Sequence, residues 1–313
     1  MSEATVVIAA WHAADTVGRS VSSALRQTDI ETEAVVVDDA SCDTTAKAAG
    51  EAGARVFRLA SNGGPSAARN RALAEAQGLW IAVLDADDIM RPGRLRDMVD
   101  LGMRTQADIV LGNFQRIDKN GNFLEDTPFL HGSPFEKPCV WTLEDYLAGN
   151  QLVPGSRPLG YLKPLFRKEF LETTGLRYDL SLRNGEDFHL ILASLAAGGR
   201  VVYSPAPDYL YTIRHGSISH RADPAHIEAL LHADTAFVEQ HADTLSDKAQ
   251  ILFARRRNAL CELQISENIL QQFKARKLLR AVYTLGKNPW VSGRVVWQLA
   301  EATLKRIGSK PRT

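Results

Sequence analysis

The chain has 313 residues; 45% are apolar, 24% are charged, and 37 Lys plus Arg balance 37 Asp plus Glu. That length supports one large α/β domain, with or without an extension, and the neutral balance excludes the basic surplus of a dedicated nucleic-acid binder. Cys42, Cys139 and Cys261 are far apart and form no CxxC pair, so neither a disulfide framework nor a zinc site is expected and a reducing compartment fits.

Met1 to Thr5 carries no basic stretch, and Val6 to Trp11 is too short for a signal-peptide core. No window of about 18 apolar residues occurs, so no membrane-spanning helix is expected. Val6 to Ala10 is apolar on both faces and predicts a buried strand. Asp15 to Gln27 predicts a helix, with Val17, Val21, Ala24 and Leu25 at helical spacing. Ala34 to Val37 is a second buried strand and runs into Asp38-Asp39, before a helix over Thr44 to Gly53. Val56 to Leu59 is a short third strand, Asn62 to Pro65 a turn, and Ser66 opens a helix to about Gly78. Trp80 to Leu84 is a fourth buried strand and ends on Asp85-Ala86-Asp87-Asp88.

Strand and amphipathic helix alternating in this way imply a mostly parallel sheet covered by helices on both faces. In such sheets ligands bind beyond the carboxyl ends of the strands, and two of the four strands end there in acidic pairs. Ala107 to Asn113 predicts a further strand, 119–158 a loop-rich stretch suited to acceptor contacts, and Phe188 to Ala197 a helix. Val201 to Tyr203 and Asp208 to Ile213 are strands, and Ala225 to Phe273 is helical throughout. The domain expectation is one α/β unit over 1–222, divided at about residue 115, then a helical region over 223–313.

Five segments carry chemistry. Asp85 and Asp87, two residues apart at a strand end, can share a hard cation such as Mg²⁺ or Mn²⁺ with substrate phosphates; alone, the pattern equally describes a solvated, helix-capping loop. Asp38-Asp39 precedes the position where Ser41 or Asp43 would cap the next helix. Small residues over Asn62 to Ala68 let a backbone approach a ligand, and Arg69 adds charge near a helix N-terminus. Gly185-Glu186-Asp187 offers a general base, or a first helical turn that complements the dipole. Arg214 to His220 is a His-bearing loop able to close over phosphates, or a plain surface turn.

In this order, Val7-Ile8-Ala9-Ala10-Trp11, Ser22 to Thr28, Val37 to Ser41, Asn62 to Pro65, Ala68-Arg69-Asn70, Leu84 to Asp88 and Gly185-Glu186-Asp187 resemble family 2 glycosyltransferases of the GT-A fold, over about residues 4 to 220. Among them the likeness is to bacterial exopolysaccharide enzymes of the succinoglycan kind. The resemblance implies a nucleotide-sugar site of Ala10, Trp11, Asp39, Arg69, Asp85, Ala86, Glu186 and His215. Asp39 would hold uracil, Asp85 would lie near ribose and metal, and Asp87 would bind the Mn²⁺ or Mg²⁺ and through it the diphosphate. His215 would contact the diphosphate or metal. Asp187 would deprotonate the acceptor hydroxyl. Ala10-Trp11-His12 departs from the family's frequent Pro-x-Tyr-Asn, which leaves His12 without a role.

The expected partners are a UDP-sugar and a saccharide acceptor, lipid-linked in this family, with a homo-oligomer compatible and nucleic acid excluded. The expected place is the cytoplasm, at the inner face of the membrane. A nucleotidyltransferase of related fold would show a basic, Gly-rich loop after the first strand, which Ala10 to Gly18 lacks; a non-catalytic sugar-nucleotide module would not need Asp87 and Asp187. Beyond residue 253 basic residues far outnumber acidic ones. With Trp290, Val291, Val295, Val296, Leu299 and Leu304 as apolar anchors and Trp297 at the boundary, the region reads as a basic amphipathic membrane contact.

Overall fold

The structure, a computed structural model, describes residues 2–153, 156–213 and 224–296. They fall into two compact units, one of 2–151 with 156–213 and one of 224–296 with 152–153.

The first unit is built on a nine-stranded sheet. Its strands are β1 (Ala4–Ala10), β2 (Thr32–Asp38), β3 (Arg55–Arg58), β4 (Trp80–Val83), β5 (Ile89–Met90), β6 (Ile109–Ile117), β7 (Cys139–Trp141), β8 (Lys163–Arg167) and β9 (Val201–Thr212). The order is β3-β2-β1-β4-β8-β6-β9-β5, with β7 paired to β9. The half formed by β3, β2, β1 and β4 is parallel, in the register Val7↔Val35 and Val7↔Val83. The apolar runs predict this half, because a parallel strand buried on both faces has no polar alternation.

The other half is mixed. β8 runs antiparallel between β4 and β6, with Ala82↔Leu165 and Val110↔Leu165, while β6 and β9 are parallel. An antiparallel insertion puts the start of β8 beside the carboxyl end of β4. Lys163 therefore arrives at the edge where Asp85 emerges. Pro164 sits in this internal strand, where a missing N–H costs a ladder bond and the sequence pattern argues against a strand.

The helices of this unit are α1 (Val17–Leu25), α2 (Thr45–Glu51), α3 (Gly64–Glu75), α4 (Arg94–Thr105), α5 (Leu143–Ala148), α6 (Lys168–Thr174) and α7 (Glu186–Ala196). The expected loop stretch 119–158 holds β7 and α5, the latter opened by a capping box of Thr142 and Asp145. The core is the apolar sheet faces, with Val6, Ile8, Val36, Val83, Ile109 and Leu165 fully buried.

The second unit contains α8 (Pro224–Gln240), α9 (Asp247–Lys274) and α10 (Leu278–Lys287), then a 3₁₀ turn over Pro289–Val291. Ser246 caps α9 by accepting the Ala249 N–H at 3.2 Å. Asp234 of α8 and Arg256 of α9 form a buried ion pair at 2.8 Å, so Arg256 belongs to the interior and not to an exposed basic surface. A second core joins Ile269 and Leu270 of α9 to Ala281 of α10 and to Val291 and Val295. This corrects the expectation that Val291 and Val295 are membrane anchors: both are packed inside. Trp297, Leu299 and Leu304 lie outside the described residues.

Candidate active site

The parallel strands β1, β2 and β4 end on one side of the sheet, where the acidic residues after β2 and β4 emerge. At the end of β1, Ala10 accepts the Asp39 N–H at 2.8 Å. Trp11 is half exposed, and the His12 N–H donates to Ser41 Oγ at 2.9 Å. Asp38 is buried, accepts the Ser41 N–H and pairs with Arg58. The Asp39 carboxylate accepts the N–H groups of Gly63 at 2.7 Å and Gly64 at 2.9 Å. It therefore fixes the start of α3, where Gly64 takes φ +84°, a conformation that disfavours side chains. The Asp43 carboxylate accepts the Thr45 N–H at the start of α2, as its place before that helix suggests.

Arg69 is the hub. It is buried on α3, and its guanidinium reaches Asp85 at 2.8 Å, Glu186 at 2.5 Å and Asp187 at 3.7 Å. The Tyr178 ring lies under it, 5.4 Å from the guanidinium carbon. Burial alone would weaken the cation, but Asp187, Glu186 and Asp85 raise its pKa further above the usual arginine value.

Lys163, not singled out in the sequence, completes the charge cluster around Asp85. Its ammonium is buried and lies 2.5 Å from Asp85 Oδ2, with the rings of Tyr209 and Tyr211 5.6 and 5.5 Å away. Desolvation would raise the Asp85 carboxyl, but Lys163 and Arg69 outweigh it and hold the group well below the usual carboxylate range. Lys163 in turn is held above the usual lysine value against its own burial, by Asp85 first and by Asp187 and Asp88 beyond it. Asp88 is buried and pushed well up, by desolvation and then by Asp85 and Asp87. It accepts the Tyr209 hydroxyl at 2.7 Å and the Thr212 N–H at 2.7 Å, which ties the end of β4 to β9.

Asp187 opens α7 after Gly185, whose φ of +79° makes the sharp turn. The Tyr178 hydroxyl donates to Asp187 Oδ1 at 3.0 Å. Asn70 holds Tyr178 through both its N–H and its carbonyl, at 2.9 and 2.8 Å. Ser66 donates to the Leu182 carbonyl at 2.7 Å and Arg183 to Asn62 at 3.1 Å. The small-residue segment from Asn62 to Asn70 thus latches the loop that carries Asp187. Glu186 is buried; desolvation pushes it up while Arg69 opposes.

The sequence-derived residues Asp39, Arg69, Asp85, Ala86, Asp87, Glu186 and Asp187 are thereby gathered on one edge of the sheet with Ala10 and Trp11. Two more, Lys163 and Tyr178, were not legible. His215 lies outside the described residues, so no geometry attaches to it.

The donor atoms suit a hard divalent cation. Asp87 is a half-buried carboxylate just past β4, and its backbone carbonyl accepts from Arg19 at 2.9 Å. Both Asp85 oxygens are already ion-paired, so a metal at Asp85 would share that carboxylate with Lys163 or Arg69. Among the described residues no three His, Cys, Asp or Glu side chains converge as a ready-made cage. Mg²⁺ and Mn²⁺ bound with a nucleotide need only one or two carboxylates, the other ligands being phosphate and water.

Comparison with known proteins shows the family and the fold. The family model described as "Glycosyl transferase family 2" matches residues 5–153. The chain is 36% identical to the succinoglycan biosynthesis protein ExoO of Rhizobium meliloti over 311 residues, 98% of this chain and 88% of that protein. It is 32% identical over 119 residues, 37% of this chain and 47% of the other, to the Escherichia coli UDP-Glc:alpha-D-GlcNAc-diphosphoundecaprenol beta-1,3-glucosyltransferase WfgD. Among solved structures, S. aureus TarS 1-349 in complex with UDP-GlcNAc superposes with a TM-score of 0.60 at 20% identity, covering 87% of this chain and 73% of that one. That likeness shows the fold, GT-A.

Proposed function

The chain belongs to glycosyltransferase family 2, and from that premise we propose that it is an inverting, metal-dependent enzyme of exopolysaccharide synthesis. It moves a sugar, glucose in the first instance, from a UDP-sugar to a saccharide acceptor that is lipid-linked. The similarity to a succinoglycan biosynthesis protein supports the pathway class, and the E. coli relative supports UDP-glucose and a diphospholipid acceptor. The observation that carries the reading is Arg69, which touches Asp85 on one side and Glu186 and Asp187 on the other. One side chain therefore spans the proposed donor end and the proposed base.

In this reading uracil lies against Trp11 and Asp39, whose carboxylate also positions the Gly63-Gly64 turn. Asp87 would hold the Mn²⁺ or Mg²⁺, which would supply charge neutralisation at the leaving diphosphate. Asp85, fixed by Lys163 and Arg69, orients the ribose side. The acceptor hydroxyl attacks the anomeric carbon from the face opposite the diphosphate. Its proton passes to the Asp187 carboxylate as the new C–O bond forms. The bond from the anomeric carbon to the β-phosphate oxygen breaks, and its electron pair leaves with UDP. Tyr178 orients Asp187, and Glu186 anchors Arg69. An α-linked donor gives a β-linked product. The catalytic unit over 1–222, with donor side to about residue 115, would act from the cytoplasmic face of the membrane.

A panel of UDP-sugars assayed for UDP release with Mn²⁺ or Mg²⁺ tests this, with the product's anomeric configuration read by NMR. UDP-glucose should be turned over and the configuration inverted. Retention of configuration, or turnover of no UDP-sugar with either metal, would overturn the reading.

A further inference from the structure

In the second unit α10 carries apolar residues on two faces. Ala281 and Leu285 pack toward Ile269 and Leu270 of α9. Leu279, Val282, Tyr283 and Gly286, spaced i, i+3, i+4 and i+7, form one stripe on another face, and all four are exposed. Leu279 is 90% exposed and Trp290, in the turn that follows, 66%. Leu278 and Val296 are exposed as well. Scattered apolar residues on a surface need no explanation, but a contiguous stripe does.

The charge around the stripe has one sign. Between residues 274 and 296 there are six basic residues, Lys274, Arg276, Lys277, Arg280, Lys287 and Arg294, and no acidic one. Among the described residues, only Arg294 of these is tied to a carboxylate, that of Glu262 at 3.6 Å. The Lys287 ammonium lies 4.6 Å from the Tyr283 ring centroid, so its charge rides at the edge of the apolar stripe. No helix among the described residues is long and apolar enough to cross a membrane.

We propose that this face of α10, with Trp290, docks on an anionic bilayer surface, Leu279, Val282, Tyr283 and Trp290 entering the headgroup boundary and the lysines and arginines meeting lipid phosphates. An apolar stripe flanked by uncompensated positive charge matches the two parts of such a surface, acyl edge and anionic headgroup. A protein partner would need both apolar and acidic complementarity, and a second copy of the chain would place basic flank against basic flank. The choice of a bilayer rests on the proposed lipid-linked acceptor; the stripe and its charge do not.

Co-sedimentation of the full chain with vesicles tests it, comparing phosphatidylglycerol–phosphatidylcholine mixtures with pure phosphatidylcholine. Binding should require the anionic lipid and weaken as salt rises from about 50 to about 500 mM, because surface attraction is screened. Leu279→Glu with Trp290→Glu should reduce partition at least about tenfold, since two exposed apolar contacts are lost. Both sites are exposed, so melting temperature and UDP release should be unchanged. Arg280→Glu with Lys287→Glu should reduce partition and leave little salt response. Asp187→Asn should bind vesicles like the parent, which separates this proposal from the catalytic one. A full chain that stays in the supernatant at low salt would overturn the proposal. So would binding that survives Leu279→Glu with Trp290→Glu, or a dimer by light scattering that this double variant dissociates.

Discussion

The two units differ in what stands out: a buried cluster of charges in the first and an exposed apolar stripe in the second, which also buries the Asp234–Arg256 pair. The first buries charge: Arg69, Lys163, Asp88 and Glu186 are all withdrawn from water. The second exposes apolar area, with Leu279, Val282, Tyr283 and Trp290 in solvent. Folding alone favours neither arrangement, because desolvating ions and hydrating apolar side chains both cost free energy. Each is the place of a proposed ligand, the nucleotide-sugar in the first unit and the bilayer surface in the second. In the first unit opposite charges compensate locally through Arg69 and Lys163. In the second unit nothing among the described residues covers the stripe on α10.

The comparison sharpens most at Asp87. If the buried charge exists to bind a cation and a diphosphate, Asp87→Ala should reduce turnover by about 10³-fold or more, the scale of a lost preorganised electrostatic contact. Steady-state UDP release with saturating Mn²⁺ measures it, and near-normal turnover would remove Asp87 from the site. Asp187→Asn should reduce turnover by about 10²-fold, the scale of a lost general base, with UDP affinity unchanged. Equal losses in affinity and turnover would make Asp187 a donor-binding residue.

Smaller effects follow at the residues that support these two. Tyr178→Phe removes one hydrogen bond to a charged carboxylate and should slow turnover about tenfold, since such a bond contributes about 1.5 kcal/mol. An unchanged rate would mean that Tyr178 only fills space. Lys163→Met leaves Asp85 with Arg69 as its remaining close cation. It should destabilise the fold by about 3 kcal/mol, the low end for a broken buried pair, as read by denaturant melts. The pH dependence carries the sign. Asp85 is held below its ordinary value, so its stabilising contribution is present at neutral pH and lost only as pH falls through that lowered value. Without Lys163 the lowering is smaller, so the contribution lost on acidification should be smaller and its loss complete at a higher pH.

How much of this was legible follows from the same contrast. Strands β1, β2 and β4 are apolar on both faces and β2 and β4 run into acids, so both the sheet and the edge holding Asp39, Asp85 and Asp87 can be read from the sequence. The other half cannot. Strand β8 is five residues long, has charge at both ends and carries Pro164 in its interior, so no period marks it, and Lys163 stays hidden with it. Tyr178 lies in a loop and reaches Asp187 only because Asn70 holds its backbone. Helix α4 was also missed, since Arg94 is fully buried beside Asp208 where a charged helical turn reads as solvated. In the last helices the sequence shows that the region is basic and apolar but not which apolar residues face inward. Val291 and Val295 were therefore placed at a membrane and are core, while Leu279, Val282 and Tyr283 are the exposed set.

The claim at the centre, that the buried charges of the first unit form a donor site completed by a divalent cation, is tested most directly by calorimetric titration of UDP into the full chain. One titration contains Mn²⁺ and the other EDTA. The account predicts binding with Mn²⁺ that weakens at least about tenfold in EDTA, as expected when a cation bridges carboxylate and phosphate, and that Asp87→Ala abolishes the difference. UDP affinity that is the same with and without the cation, or absent in both, would contradict it.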